Sequence, residues 1–489
     1  MPHAVSHSAT SAAALPAIRA TRASLTPAIV SGTTMTAEAA LMAATGGLAA
    51  LLHVAPEELS AVYPLAIAAT SLATVVIVRQ LGLYRLEALL SPHRAMPRVV
   101  LAWGLAFTLL ATALFLLGAG AELSRVWMTS WVAIGAIGLP AARLLLARAI
   151  RAALDSGRLE RRVAIYGAGA TAAELVRMLE RNAGRELVVA GIFDDRDPGR
   201  VGEATAGHRH LGGLASLIEH CRVNPFDLVI VTLPVAGEKR LASVIKALSV
   251  LPVDIKLWAE ATELRLSPRA YSRVGGIAMI DLYDKPIADW GSVSKSILDR
   301  TLALMALILL APVMAAVALA IKLDSRGPVL FRQKRYGFNN ELIEVLKFRS
   351  MYTDKCDADA RALVTRGDPR VTPVGRLIRK TSLDELPQLI NVLKGDLSLV
   401  GPRPHALAAK AAGQLYDEVV EGYFARHKVK PGITGWAQVN GWRGETDTPE
   451  KIRQRVAHDL YYIENWSVML DLLILIRTPF ALLETDNAY

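Results

Sequence analysis

LALMALILLAPVMAAVALAI, residues 302–321, decides how this chain is built. The run has about the 20 residues that a helix needs to cross the hydrocarbon core of a bilayer. Asp299 and Arg300 stand before it, and Lys322, Asp324 and Arg326 follow. Pro312, near the middle, removes one helix hydrogen bond and crowds the preceding turn, so a kink or break is expected there. A spanning helix would put everything downstream on the opposite side of the membrane from everything upstream. A re-entrant helix would dip into one leaflet, bend at Pro312 and return the chain to the side it came from. Composition alone does not choose, because kinked spanning helices are common.

Upstream lie four further apolar stretches of near-spanning length, at about 34–53, 61–79, 97–119 and 126–147. Arg79, Arg85, Arg94 and Arg98 follow the second, and Arg148, Arg151, Arg158, Arg161 and Arg162 follow the fourth. The other connections carry Glu57 and Glu58, and Glu122 with Arg125. By the positive-inside rule both ends of this set face the cytoplasm. Residues 1–33, rich in Ala, Ser and Thr, lack an apolar run with a cleavage site behind it and read as a disordered tail.

Composition agrees with a membrane protein of several units. The chain has 489 residues, 52% of them hydrophobic and only 20% charged, too long for one ordinary core and too apolar for a soluble surface. Its net charge of +10 suits anionic headgroups or phosphorylated substrates, which rank above nucleic acid once apolar spans are present. Cys221 and Cys356 stand far apart with no CxxC, and His208 and His210 have no further ligand pair nearby, so neither a disulfide framework nor a metal site is expected from them.

Between the spans, RRVAIYGAGATAAELVRMLER (161–181) reads as a short strand, a glycine turn and an amphipathic helix. LVVAGIFDD and DLVIVTLP continue the alternation, which predicts a parallel, doubly wound, Rossmann-like α/β domain over 160–262. Gly167, Gly169 and Ala172 form a GxGxxA where a dinucleotide pyrophosphate would rest, and Asp194 ends the second strand at a distance suited to a ribose hydroxyl. A tight strand-to-helix turn needs glycine for backbone reasons alone, so a purely structural turn is the alternative.

The polar strings after Lys347 carry the chemistry. KFRSM holds Lys347 and Arg349. The stretch 376–404 holds Arg376, Arg379, Lys380, the Asp384-Glu385 pair, Asn391, Asp396 and Arg403, and 430–459 adds Lys430, Gln438, Asn440, Arg443 and Asp459. Two carboxylates among several cations are what a pyrophosphate substrate with a divalent cation requires: cations offset phosphate charge, one carboxylate holds the metal, and the other can attack phosphorus. Thr381 or Ser382 as cap of a helix starting at the acidic pair would aim a helix N-terminus at the phosphates. Simple capping by the acidic pair is the competing explanation.

Residues 292–489 resemble the bacterial sugar transferase family, the polyprenyl-phosphate hexose-1-phosphate transferases, through KLDSRGPVLFRQKRYGFN, KFRSM, TSLDELPQLINVLKGDLSLVGPRP and KPGITGWAQVNG. WRGETDT and HDLYYIENWS look most like the subgroup that transfers glucose-1-phosphate to start exopolysaccharide repeats. The resemblance implies a multi-domain membrane protein: a four-helix transmembrane bundle over 34–150, the Rossmann-like domain, and a mixed α/β phosphoglycosyl transferase domain entered through a re-entrant helix at 302–321, with Pro312 at the bend. Ala311 stands where many relatives have serine. It further implies Asp384 as the nucleophile on the β-phosphate of a UDP-sugar, Glu385 as ligand of Mg²⁺, and Lys347, Arg349, Arg379, Arg403 and Gln438 as substrate-binding residues. UMP would be released and the phosphosugar passed to undecaprenyl phosphate.

Such a site belongs on the cytoplasmic face of the bacterial inner membrane, among membrane lipid, where UDP-sugars are found. A homodimer is also expected, although no residue pattern sets it, and the choice between glucose and galactose rests on the subgroup likeness alone. Residues 466–483, WSVMLDLLILIRTPFALL, read as an interfacial anchor or a buried core helix. An NAD-dependent sugar-nucleotide dehydratase is the main rival, but it needs a YxxxK pair, and none of the 12 tyrosines has a lysine four residues on.

Overall fold

A computed structural model describes residues 25–120, 122–182, 186–196, 207–234, 238–258, 272–353, 368–405, 410–411, 414–415, 420, 422–444 and 448–483. The chain divides into two units, residues 19–161 and the remainder from 162 onward.

The first unit is helical: α1 (Pro27–His53), α2 (Val62–Gln80), the short α3 (Leu86–Leu90), α4 (Pro92–Leu116) and α5 (Arg125–Asp155). The four longer ones are each long and apolar enough to cross a bilayer. Helix α1 packs on α2 and α5, and α4 packs on the same two. The first helix begins earlier than expected, at Pro27. Thr26 caps it by accepting the Ile29 N–H, and proline at the first position needs no hydrogen-bond partner, so 27–33 belong to the helix. Residues 1–24 of the expected tail lie outside the described residues.

Three tryptophans fill the centre. Trp103, Trp127 and Trp131 are fully buried, and their indole N–H groups donate to the carbonyls of Val132, Gly46 and Met42. Gly46 and Gly135 make room for them: a Cβ at Gly135 would stand 2.4 Å from the Trp103 ring. Glu38 and Arg143, which the apolar runs concealed, form a buried pair at 2.7 Å, with Tyr84 donating to Glu38 and Arg143 to the Leu83 carbonyl. Charges at such depth persist only when paired.

The second unit opens with the α/β domain. Strands β1 (Arg161–Tyr166), β2 (Leu187–Phe193), β3 (Leu228–Val231), β4 (Asp254–Trp258), β5 (Ser272–Val274) and β6 (Ile277–Tyr283) form one sheet in the order β2-β1-β3-β4-β6-β5. Strands β1, β3 and β4 pair in parallel, and β5 and β6 add an antiparallel edge. Helices α6 (Ala170–Asn182), α7 (Leu214–Val223) and α8 (Glu238–Leu248) connect the parallel strands. The doubly wound expectation thus holds, and the sheet extends past 262 to Tyr283.

Helix α9 (Asp289–Asp324) carries the decisive run. Its turns continue through Pro312, so of the kink or break expected there the break is absent, and the helix tolerates one lost hydrogen bond. The middle is lipid-like in its exposure, with Ile308 and Leu309 among the most exposed apolar residues. Both ends pack on the same downstream domain: Ala303 joins a core with Leu389, Leu399 and Tyr462, whereas Val317 and Ile321 pack with Phe348 and Ile378.

That domain consists of the hairpin β7 (Leu330–Tyr336) and β8 (Leu342–Phe348), helices α10 (Pro373–Lys380) and α11 (Gln388–Lys394), the parallel pair β9 (Ser398–Val400) and β10 (Gly432–Thr434), and helices α12 (Trp436–Val439), α13 (Pro449–Glu464) and α14 (Val468–Leu483). The last helix has the buried side expected of a core helix and an exposed apolar side opposite it. Ile474 and Asp471 are buried in the core, while Met469, Ile476 and Phe480 are exposed along the other side. A polar cluster ties α9 in place: Lys295 meets Asp471 at 2.8 Å and donates to the Val400 carbonyl, and Asp299 accepts from Ser398.

The regions before and after α9 touch each other. Asn339, at the turn of the β7–β8 hairpin, donates to the Cys221 carbonyl at the end of α7 over 3.0 Å. Arg222 lies over Phe424, and Lys428 over Tyr283 of β6.

Candidate active site

Helix α10 ends at Lys380, and a single 3-10 turn, Leu383–Glu385, then carries the acidic pair into α11. Neither Thr381 nor Ser382 caps a helix here, which corrects that expectation. Thr381 donates back to the Leu377 carbonyl, and Ser382 takes a left-handed backbone with φ of 56°. A three-residue turn has no useful dipole, so the charge of the site comes from side chains.

The two carboxylates are treated differently. Glu385 is clamped: Lys347 Nζ donates to Oε1 at 2.9 Å, and Arg403 donates to Oε1 at 2.5 Å and to Oε2 at 3.2 Å. Burial alone would raise its pKa, but Arg403 and Lys347 overcome this and hold it well below the usual carboxylate range. Among the described residues Asp384 has no comparable clamp. Burial pushes its carboxyl up to about 6, against the pull of Lys347, Arg379 and Arg403, with Glu385 adding to the rise. A fixed anion thus sits beside a more basic, unclamped one. Dyads with divided roles have that arrangement.

Each clamping cation is itself positioned. Lys347 lies on β8, and the adjacent Leu346 N–H donates to Asn391 of α11, whose amide returns a bond to the Glu344 carbonyl. The strand bearing Lys347 is thereby locked to the helix that follows the dyad. Arg403 stands in the loop after β9, where Gly401 and Gly432 approach so closely that a Cβ on Gly401 would lie 2.5 Å from the Lys430 carbonyl. Its own carbonyl accepts from Arg426 at 2.8 Å, and Arg426, fully buried, is paired with Asp459 at 2.5 Å. Asp459 was visible in the sequence as a polar residue; Arg426 gave no signal.

Other candidates fall differently. Arg379, half-buried at the end of α10, lies close enough to act on Asp384. Gln438 is buried on α12, with its Oε1 lacking a partner. Arg349 stands apart from the phosphate role expected of it: its guanidinium is buried and donates to the carbonyls of Ile321, Ser325 and Arg326, closing the end of α9. Arg349→Met is therefore expected to destabilise the folded protein by about 2–3 kcal/mol, read from denaturant unfolding in detergent, because those carbonyls lose a charged donor.

In the α/β domain, Gly167 and Gly169 take left-handed backbones, as the turn requires. Asp194 is not open to a ribose. Its carboxylate accepts the Ala168 N–H at 2.6 Å and is held by Arg196 at 2.7 Å. His208 bonds Glu180, and His210 meets the Asp194 carbonyl. Cys356 lies outside the described residues.

Two buried histidines sit behind the site. His405 meets Arg426 Nη1 at 2.6 Å, and His427 faces Asn340. Burial, reinforced by Arg426 and Arg222, pushes His427 down to about 3. Unfolded, its pKa lies near 6.5, so the unfolded chain binds the extra proton and stability falls as pH drops below that value. At pH 5 the loss attributable to His427 is about 2 kcal/mol. Thermal unfolding against pH should show a shallower acid slope for His427→Gln than for the unchanged protein.

An acidic dyad of split basicity, cations from three separate elements, and an apolar helix anchored at both ends are the features that a phosphate-handling enzyme site beside a bilayer requires. Residues 290–485 match the bacterial sugar transferase family, and residues 79–259 match a CoA-binding domain. The chain is 42% identical over 333 residues to an undecaprenyl-phosphate glucose phosphotransferase of Komagataeibacter xylinus, covering 68% of this chain and 61% of that protein. It is 38% identical over 365 residues to the UDP-glucose:undecaprenyl-phosphate glucose-1-phosphate transferase of Escherichia coli K12, covering 75% and 76%. With the enzyme of that name from Xanthomonas campestris it shares 34% over 437 residues, covering 88% and 89%. The chain belongs to the bacterial sugar transferase family.

Proposed function

We propose that this protein transfers glucose-1-phosphate from UDP-glucose to undecaprenyl phosphate, the step that starts an exopolysaccharide repeat, with Asp384 as the nucleophile. The contrast between clamped Glu385 and unclamped Asp384 carries the assignment. An Asp384 oxygen attacks the β-phosphorus, the bond to the bridging oxygen breaks, and UMP leaves with that electron pair. An undecaprenyl phosphate oxygen then attacks the same phosphorus and returns Asp384 as a carboxylate. Lys347, Arg379 and Arg403 offset the charge that the diphosphate brings.

Glu385 also fits Mg²⁺, as a single anchor. Three of its approximately four lone-pair positions are taken by Lys347 and Arg403, which leaves one on Oε2. Mg²⁺ commonly takes one or two carboxylates and completes its shell with substrate phosphates and water. Bound so, the ion would offset charge on the leaving phosphate.

The membrane placement follows from α9. The hydrogen bond between Asn339 and Cys221 joins regions on either side of that helix, which supports a re-entrant path bent about Pro312 over a spanning one. Together with the positive-inside pattern, this path supports a dyad on the cytoplasmic face of the inner membrane. UMP release by purified protein, with undecaprenyl phosphate and a panel of UDP-sugars, tests the reading. UDP-glucose is expected to be the preferred donor; preference for UDP-galactose would keep the chemistry and change the sugar, and no release from any donor would overturn the proposal. EDTA should abolish release, and excess Mg²⁺ should restore it.

A further inference from the structure

We propose that Arg443 is a further substrate-contacting residue, a guanidinium for the diphosphate oxygens of the nucleotide sugar, and that Arg455 of α13 is its positioning residue. The inference rests on the transferase reading above. Arg443 Nη2 donates to the Ser382 hydroxyl at 2.6 Å, two residues before the nucleophile. Asp384, Glu385 and Arg403 are its charged neighbours. Among the described residues this guanidinium bonds the neutral Ser382 hydroxyl and not either carboxylate, which leaves further N–H donors for a ligand. Lys347, Arg379, Arg403 and Arg443 against two carboxylates leave the site with a positive surplus, which an anionic ligand relieves.

The loop bearing Arg443 is built to hold it there. Arg455, buried on α13, donates twice to the Trp442 carbonyl, at 3.1 and 2.8 Å, and once to the Gly444 carbonyl at 2.9 Å. It therefore holds the peptide that precedes Arg443 and the carbonyl of the residue that follows it. One helical turn further on, at i+4, Asp459 holds Arg426, and Arg426 holds the Arg403 carbonyl. A single helix thus sets two cations of the site, one through Arg455 and the other through Asp459. Guanidinium and phosphate match as a planar fork, which a lysine reproduces only as a point charge.

The experiment uses the full-length protein in detergent, with Arg443→Gln, Arg443→Lys, Arg455→Met and the double variant R443Q/R455M. UDP and inorganic pyrophosphate binding are measured alongside kcat and KM for UDP-glucose. Arg443→Gln is expected to weaken UDP binding at least tenfold and to lower kcat/KM about 100-fold with unchanged thermal unfolding; Arg443→Lys should recover part of both. Arg455→Met should shift KM and UDP affinity in the same direction. The double variant should be no worse in UDP affinity than Arg443→Gln alone, because both act through one group. An active parent enzyme whose Arg443→Gln variant keeps its UDP affinity and kcat/KM overturns the inference. If the parent releases no UMP yet loses UDP and pyrophosphate binding on Arg443→Gln, the transferase reading fails and Arg443 remains an anion contact.

Discussion

Asp384→Asn is expected to lower UMP release from UDP-glucose by on the order of 10⁴-fold or more, the scale seen when a covalent nucleophile is lost. The substitution keeps volume and shape, and the surrounding charge does not depend on Asp384 for its geometry. Lys347 and Arg403 are bonded to Glu385, so the clamp should survive. UDP affinity should consequently stay within a few-fold of the unchanged protein, and membrane association should be intact. Glu385→Gln differs in kind. It removes the charge that Arg403 and Lys347 are bonded to, so it should disturb both the cation positions and UDP affinity. The two neighbouring carboxylates are thus separable by experiment: one variant silences chemistry, the other also loosens the site.

The largest effect on stability is expected at Arg426. Arg426→Leu leaves Asp459 as an unpaired buried charge and should cost about 3–5 kcal/mol, measured by denaturant unfolding in detergent. Arg426 and Asp459 are both almost wholly buried, so solvent does not screen the pair. The double variant R426L/D459L should recover much of this loss, since a buried pair replaced by apolar side chains is often near neutral. Activity should not recover with stability. The Arg403 carbonyl would still lack its donor, and the loop that aims Arg403 at Glu385 would be less well fixed. A double variant restored in both stability and kcat/KM would show that Arg426 only supports the fold.

The sequence made the dyad, Lys347 and Arg403 legible because charged residues packed into short strings are costly unless they serve one another or a ligand. The four N-terminal apolar helices and the parallel sheet were legible for a similar reason, as length and period are local properties. What escaped was set by contacts between distant segments. Arg349 reads as a phosphate contact from its string, yet the end of α9, more than twenty residues upstream, claims its guanidinium. Asp194 reads as a ribose ligand until Arg196 is seen folded back on it. Ser382 reads as a helix cap, but Arg443 from another loop takes its hydroxyl. Glu38 and Arg143 vanish inside apolar runs because each offsets the other's charge across 105 residues of chain.

The central claim is that Asp384 becomes covalently bonded to the phosphosugar. Incubating the purified protein with UDP-glucose and Mg²⁺, without undecaprenyl phosphate, and mapping its peptides by mass spectrometry tests it most directly. A hexose phosphate on the peptide containing Asp384, absent from Asp384→Asn and discharged by undecaprenyl phosphate, is the predicted result. UMP formed at full rate only when undecaprenyl phosphate is present, with no adduct on any peptide even after rapid quenching, would contradict it.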